Sequence, residues 1–353
     1  MISTPVSLRL GAQDRVLVLA PHPDDESIAC GGLLLAAHAA GAARRVVILT
    51  DGDNNPWPQR WIEKHWRIDA TARARWGARR RAEAQAALDV LGVEPGERMF
   101  SGWPDMGLTD LLMREPARVA QVLIAQIEAF RPTHIAIPAL RDKHPDHSAA
   151  YIAARFALAR ARVPPPECLS YSVHGARHHT QMHVELDAQQ RERKQSAIQQ
   201  HQTQMRLSGK RFLEFAAAKE NYSPRADVDV ARSDHPLDVR LGDNATLDLS
   251  VDTQRVRRIT SLHLLLALDA GDGIGLRWRL PLAVDKTVQP IDLATGENLG
   301  AAHWRRDGQV LRTQLTLPSV ATARWGFCKL ASNRASVVVY DRHGWQSISR
   351  NPA

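Results

Sequence analysis

Two short segments of this 353-residue chain gather side chains that can hold a cation or move a proton. Pro21-His-Pro-Asp-Asp-Glu26 packs one imidazole and three carboxylates into five positions. Carboxylates so close repel one another unless a cation or basic groups neutralise them. Imidazole with carboxylate suits zinc, iron and other first-row divalent ions. Pro21 and Pro23 bracket His22 and restrict the backbone, which helps to hold ligands still. The plainer reading is an acidic helix start, with Asp24, Asp25 and Glu26 on the positive end of the helix dipole. The second segment is Asp142-Lys-His-Pro-Asp-His147. His144 and His147 both reach a common centre from a strand-to-helix turn, and Asp146 is placed to orient one imidazole. Its plainer reading is a surface histidine pair with Asp146 capping a helix. Together the two segments supply three histidines and several carboxylates, enough for a catalytic metal site with an open position.

Apolar runs precede both segments. Arg15–Ala20 reads as a buried parallel strand and Arg45–Thr50 as a second buried strand, with further strands at Arg98–Ser101, Thr133–Pro138, Leu169–Val173 and His183–Leu186. Helical stretches alternate with them: Ser27–Ala40, Arg73–Leu91 ended by Gly92, Glu115–Phe130 with Pro116 in its first turn, His147–Arg162, and Ala188–Gln204 capped by Asp187. Such alternation predicts an α/β fold, a Rossmann-like parallel sheet with helices on both faces. Ligands of such sheets sit beyond the carboxyl ends of the strands, where both segments fall. Gly31-Gly32 would let the following helix pack closely. Asn54–Thr71 reads as a long connection with Trp57, Trp61 and Trp66, either faces for sugar rings or anchors for the loop.

The texture changes near Arg206. Residues 206–237 read as a connecting region, and 238–353 as a smaller all-β, sandwich-like domain. Its strands are expected at Ala245–Val251, Ser261–Leu268, Gly275–Leu282, Gln309–Leu317, Ala323–Leu330 and Ser336–Tyr340. This domain's expected role is structural or docking, with glycan recognition through Trp278, Trp304, Trp325 and Trp345 as the alternative.

Ala20-Pro-His-Pro-Asp-Asp-Glu26 together with His144-Pro-Asp-His147 resembles the PIG-L/LmbE-like zinc deacetylases, which remove acetyl groups from N-acetylglucosaminyl conjugates. Leu49-Thr-Asp-Gly-Asp53, Arg80-Arg-Ala-Glu83, Pro104-Asp105 and Lys194, Ala197, His201 and Thr203-Gln204 add weaker matches, so the resemblance covers roughly residues 13–205, the expected deacetylase domain (1–205). The resemblance implies that His22, Asp25 and His147 hold Zn2+, with Fe2+ equally compatible with these ligands. It makes Asp24 the general base and His144 the group that stabilises the tetrahedral intermediate or protonates the leaving amine. Asp146 would tune His144 or His147, and Arg80 and Asp105 would contact substrate. Amide hydrolysis needs a strong nucleophile at neutral pH, and zinc lowers the pKa of bound water to about 7. The implied substrate is an N-acetylated sugar or glycoconjugate. The alternatives are a metal-dependent amidohydrolase acting on another small amide, and a glycan-binding protein with a weakly active catalytic domain.

The net charge of +8 suits an anionic or lipid-linked conjugate, and equally a solvated basic surface. Nucleic acid is not an expected partner, since charge alone would support it. An acidic loop would also repel the pyrophosphate of a dinucleotide, and no G-x-G-x-x-G follows the first strand. Cys30, Cys168 and Cys328 are far apart and form no C-x-x-C pair, so reduced thiols are expected. With no apolar run long enough to span a bilayer and no signal-peptide pattern, the expected location is cytoplasmic, or peripheral at the inner membrane surface.

Overall fold

Arg-Val-Leu-Val-Leu-Ala and its counterparts are short apolar runs without a polar break, as strands buried on both faces require. They form the central sheet of the computed structural model, which describes residues 5–175, 181–223, 234–242, 245–256, 258–271, 275–316, 323–332, 340–341 and 343–350. In chain order the first elements are β1 (Val6–Ser7), β2 (Arg15–Ala20), α1 (Asp25–Ile28), α2 (Gly31–Ala39), β3 (Ala43–Thr50), α3 (Pro56–Glu63), α4 (Ala70–Val90) and β4 (Arg98–Trp103). Next come α5 (Leu108–Arg114), α6 (Pro116–Phe130), β5 (His134–Pro138), α7 (Pro145–Leu158), β6 (Glu167–Tyr171), β7 (Met182–Glu185), α8 (Ala188–Gln200), α9 (Gln202–Leu213) and β8 (Lys219–Tyr222). The chain divides into two compact units: residues 1–108, 126–142 and 161–226, and residues 109–125, 143–160 and 227–353.

In the first unit a five-stranded parallel sheet runs in the order β4-β3-β2-β5-β6. The strand order reverses between β2 and β5, the topological switch point where ligands of such sheets bind. Val16, Val18, Val46 and Ile48 of the sheet share one core with Leu33 and Leu34 of α2, Ala84 and Leu88 of α4, and Ile198 of α8. Asp187 caps α8 as expected, in a reciprocal capping box with Gln190.

The expected helix over Ser27–Ala40 is two helices, broken at Ala29-Cys30. The break frees the first amides of α2. Gly32 N and Leu33 N donate to the Glu220 carboxylate of β8 at 2.8 and 2.7 Å. The expected connection Asn54–Thr71 contains α3, whose Pro56 occupies the first helical turn. The last predicted helix ends at Gln200, and His201, at φ −76° and ψ 62°, turns the chain into α9. The end of α9 and strand β8 both lie within the expected connection 206–237.

The second unit holds β9 (Leu237–Leu241), β10 (Thr246–Asp252), β11 (Leu262–Asp269), β12 (Leu276–Pro281), β13 (Thr287–Val288), β14 (Ile291–Asp292), β15 (Ala302–His303), β16 (Arg305–Asp307), β17 (Val310–Thr316), β18 (Trp325–Ser332) and β19 (Trp345–Arg350). Five of the six expected strands appear, as β10, β11, β12, β17 and β18. Residues 336–339 of the sixth lie outside the described residues. The sheet order is β14-β12-β11-β18-β19-β9-β10-β17-β16, with β19 antiparallel to β18 and parallel to β9. Side chains from both arms, among them Leu247, Leu249 and Leu311 with Leu264, Leu266 and Leu280, share one core, as in a sandwich. Trp278, Trp304 and Trp345 are fully buried, which speaks against the alternative reading of these three as glycan-recognition residues.

Helix α7 belongs to this second unit. Phe156 packs on Trp325 with ring centroids 4.8 Å apart, Tyr151 meets Phe327 edge-on at 6.0 Å, and Arg160 reaches Asp269 at 2.9 Å. The Asp341 N–H donates to the Lys143 carbonyl at 2.8 Å, immediately before His144. The Asp341 carboxylate is paired with Lys329.

Candidate functional site

The chain leaves β2 directly into His22-Pro-Asp-Asp-Glu26, and every one of these acidic and imidazole side chains is buried. Asp25 Oδ2 accepts from the His22 amide at 2.9 Å and lies 3.4 Å from His22 Nδ1. The opposite ring nitrogen, Nε2, sits 3.2 Å from Asp105 Oδ1. Asp24 holds φ at 143°, a conformation that only a closely determined loop maintains in a residue with a Cβ. Three contacts determine it. Arg80 Nη2 donates to Asp24 Oδ2 at 3.0 Å and to the Pro23 carbonyl at 2.8 Å, and the Asp24 amide donates to Glu26 Oε2 at 2.9 Å. Arg80 Nη1 completes the clamp on the Gly52 carbonyl at 2.8 Å, beyond the end of β3.

Burial pushes the Asp24 carboxyl up to about 6, against the pull of Arg80 and with the push of Asp25. Asp105 moves the other way. Burial alone would raise it, but the hydrogen bond and charge of His22, with Arg80, hold it well below the usual carboxylate range. Asp105 also accepts from the Asn54 amide at 2.8 Å, which ties the turn after β4 to the loop after β3. Arg80 and Asp105, read from sequence as substrate contacts, therefore meet the His22–Asp25 loop itself.

The remaining arginines of α4 are paired outward: Arg73 with Asp53 at 3.2 Å, Arg75 with Glu63 at 2.7 Å, Arg79 with Glu83 at 3.3 Å and Arg81 with Asp51 at 2.6 Å. Behind the loop, Glu26 accepts from Ser27 Oγ at 2.8 Å and lies 3.0 Å from His201 Nε2. Burial would lower the His201 pKa, but the Glu26 charge and hydrogen bond raise it overall. Lys194 and Glu220 form a buried ion pair beside Gly31 and Gly32. A Cβ on Gly32 would stand 3.0 Å from Glu220 Oε2, so the expected close approach is to this carboxylate. Glu220 has no signal in the sequence, because it is one charge in the short run Lys-Glu-Asn-Tyr.

The second segment begins α7. His144 is its N-cap, and His144 Nδ1 accepts from the Asp146 backbone N–H at 3.2 Å. A neutral ring that accepts at Nδ1 carries its proton on Nε2. The His144 and His147 rings lie with centroids 5.2 Å apart. The Asp146 amide thus orients His144, one of the two imidazoles that Asp146 was expected to tune. Asp142, one residue before Lys143, accepts from Val173 N and His174 N at 2.8 and 3.0 Å and fixes the exit from β5. Beyond β6, His178 and His179 lie outside the described residues, and His183 pairs with Glu185 at 3.2 Å.

The buried groups suited to a divalent ion are His22 and Asp105, with Asp25 beside His22, in the first unit, and His144, Asp146 and His147 in the second. Imidazole and carboxylate without thiolate fit Zn2+ or Fe2+. Fold and loop together define a Rossmann-like α/β unit that carries an acidic, histidine-bearing turn where dinucleotide-binding sheets carry glycines. Residues 17–158 match the family model described as PIG-L: GlcNAc-PI de-N-acetylase. Among curated relatives, a 1D-myo-inositol 2-acetamido-2-deoxy-alpha-D-glucopyranoside deacetylase of Mycobacterium sp. (strain KMS) is 30% identical over 167 residues, 43% of this chain and 53% of that one. The protein of the same name from Mycobacterium avium (strain 104) is 35% identical over 149 residues, 38% of this chain and 47% of that one. The chain spans about half the length of the curated relatives it matches. The solved N,N'-diacetylchitobiose deacetylase from Pyrococcus horikoshii is 19% identical, with a TM-score of 0.49 over 60% of this chain and 84% of that one.

Proposed function

We propose that this chain is a metal-dependent hydrolase that removes the acetyl group from an N-acetylated sugar of the N-acetylglucosamine type. The observation that carries the reading is Asp24. It is a buried carboxyl at the switch point of the sheet, raised to about 6, and held by Arg80 at a backbone angle of φ 143°. A carboxylate tuned close to the working pH is the group that general-base catalysis requires. The family match over residues 17–158 and the names of the curated relatives support the acetyl–sugar bond as its target.

His22, Asp25 and His147 are the residues that would hold the ion, Zn2+ or Fe2+. Two imidazoles and one carboxylate, all buried, leave room for further ligands. A divalent ion bound there supplies a Lewis acid that activates water and polarises the acetyl carbonyl. Asp24 takes the proton of the attacking water. His144 offers its Nε2 proton to the oxyanion or to the departing nitrogen, because its Nδ1 is occupied by the Asp146 amide. Asp105 keeps the His22 ring in place from the Nε2 side, and Arg80 holds the base. The deacetylase chemistry belongs to residues 1–205, and residues 238–353 form an added β-rich domain. Its Trp325 and Phe327 support the helix that His144 begins.

The test is acetate release from a panel of N-acetylglucosamine conjugates with zinc supplied, beside a chelator control and Asp24→Asn. Release that disappears in the chelator, and falls roughly 100- to 10,000-fold in Asp24→Asn with the fold intact, supports the reading. A zinc-loaded protein that frees no acetate from any conjugate moves the target to another amide. A protein that binds neither zinc nor iron refutes the assignment of the two segments.

A further inference from the structure

Helix α3 is amphipathic in the reverse sense to an ordinary surface helix. Its buried residues are Pro58 and Gln59, and Gln59 Nε2 donates to the Ala72 carbonyl at 2.7 Å. Residues at helical spacing i, i+3, i+4 and i+7 on the opposite side are Trp57, Arg60, Trp61 and Lys64. Trp57 and Trp61 are 56% and 71% exposed, and Trp66, two residues after Lys64, is 80% exposed. Arg60 ties the group together, with its guanidinium 5.2 Å from the Trp57 ring centroid and its Nε on the Trp66 carbonyl at 3.0 Å. Lys64 stops the helix at φ 53°, so the chain turns and brings Trp66 and Arg67 after it.

Three indoles left in water on one short segment are a costly exposure, because indole rings are among the largest apolar surfaces a protein carries. The cations beside them decide what would cover them. Arg60, Lys64 and Arg67 outnumber Glu63, and Glu63 is already paired with Arg75 at 2.7 Å. Tryptophan with Lys and Arg on one face is the composition that settles at the headgroup layer of a bilayer, rings at the acyl boundary and cations on lipid phosphates. We propose that the Trp57–Arg67 segment docks this protein on an anionic membrane surface. The segment leads out of Asp53-Asn54, whose Asn54 amide is hydrogen-bonded to Asp105, so the docked face lies along the chain from His22's own partner. The inference is independent of the reaction assigned above, since vesicle binding is read without substrate or metal.

The test is sedimentation of the full chain with vesicles of phosphatidylcholine alone and of phosphatidylcholine with phosphatidylglycerol, at low and high salt. Binding is expected only to the anionic vesicles. It should weaken as salt rises and fall at least roughly tenfold in Trp57→Ser/Trp61→Ser/Trp66→Ser. Lys64→Ser and Arg67→Ser should each cost roughly fivefold. If the triple variant fails to fold, Trp66→Ser alone, in the most exposed position, is read for the same direction of change. No binding to anionic vesicles at low salt overturns the proposal, as does binding that the tryptophan and cation variants leave unchanged. Self-association that the triple variant abolishes, without any vesicle binding, assigns the patch to a second copy and also overturns it.

Discussion

Replacing Arg80 by methionine tests how Asp24, the proposed base, is held. The substitution keeps much of the side-chain volume but withdraws a buried guanidinium from three acceptors: the Asp24 carboxylate at 3.0 Å and the Pro23 and Gly52 carbonyls at 2.8 Å each. Removing one partner of a buried ion pair costs about 3–5 kcal/mol, much of it from the charge and carbonyls left behind. The melting temperature should therefore fall on the order of ten degrees. A second effect carries a sign. In the native chain burial raises the Asp24 carboxyl to about 6 while Arg80 pulls it down. Without Arg80 the largest lowering influence is lost and only His201 and His22 still oppose burial and Asp25, so the carboxyl moves further up and is protonated over more of the neutral range. The acid limb of kcat/KM for acetate release should then move to higher pH. Arg80→Lys restores the charge but not the three-way fork, and should fall between the two. The assays are a thermal melt and a pH–rate profile of the three proteins. An Arg80→Met protein with the native melting temperature and an unmoved acid limb would refute the clamp.

Gly52→Ala should destabilise the same loop, because φ is +61° there and the added Cβ would stand 1.9 Å from Arg80 Nη1; a melt no lower than the native one would contradict this. His201→Gln keeps a hydrogen-bonding group opposite Glu26 but loses the charge. Because the folded-state pKa of His201 is raised, its stabilisation is complete below about pH 6.5, the unfolded value, and is lost as pH rises through the folded pKa. The stability gap between native and variant in urea should therefore shrink from mildly acid to alkaline pH, and a gap that widens would reverse the assignment. Trp325→Ala removes the ring on Phe156 and should speed amide hydrogen exchange along residues 145–158, with a stability loss of about 3 kcal/mol. Unchanged exchange there would mean that α7 does not depend on β18.

The parallel sheet was legible because each strand is an apolar run with its own turn signals, and because alternation with helices permits few topologies. The broken helix after Ile28 was hidden: its cause is Glu220, some 188 positions away in sequence from Gly32. α3 was hidden because Pro56 and Pro58 count against a helix by residue type, although Pro56 sits in a first turn where the missing N–H does no harm. The tryptophans divided only in three dimensions, with Trp278, Trp304 and Trp345 inside the β-rich core and Trp57, Trp61 and Trp66 in water. Composition is blind to that difference.

His22, Asp24, Asp25, His144 and His147 could be picked out by sequence alone, since imidazoles and carboxylates at strand ends are local features with a local chemical reason. Their division of labour is not local. Long-range contacts put Asp105 on the far nitrogen of His22 and turned Arg80 inward onto Asp24. Tertiary structure alone decided these points, because hydrogen-bond partners and desolvation depend on which chain segments meet, and residue types at a given spacing leave that open.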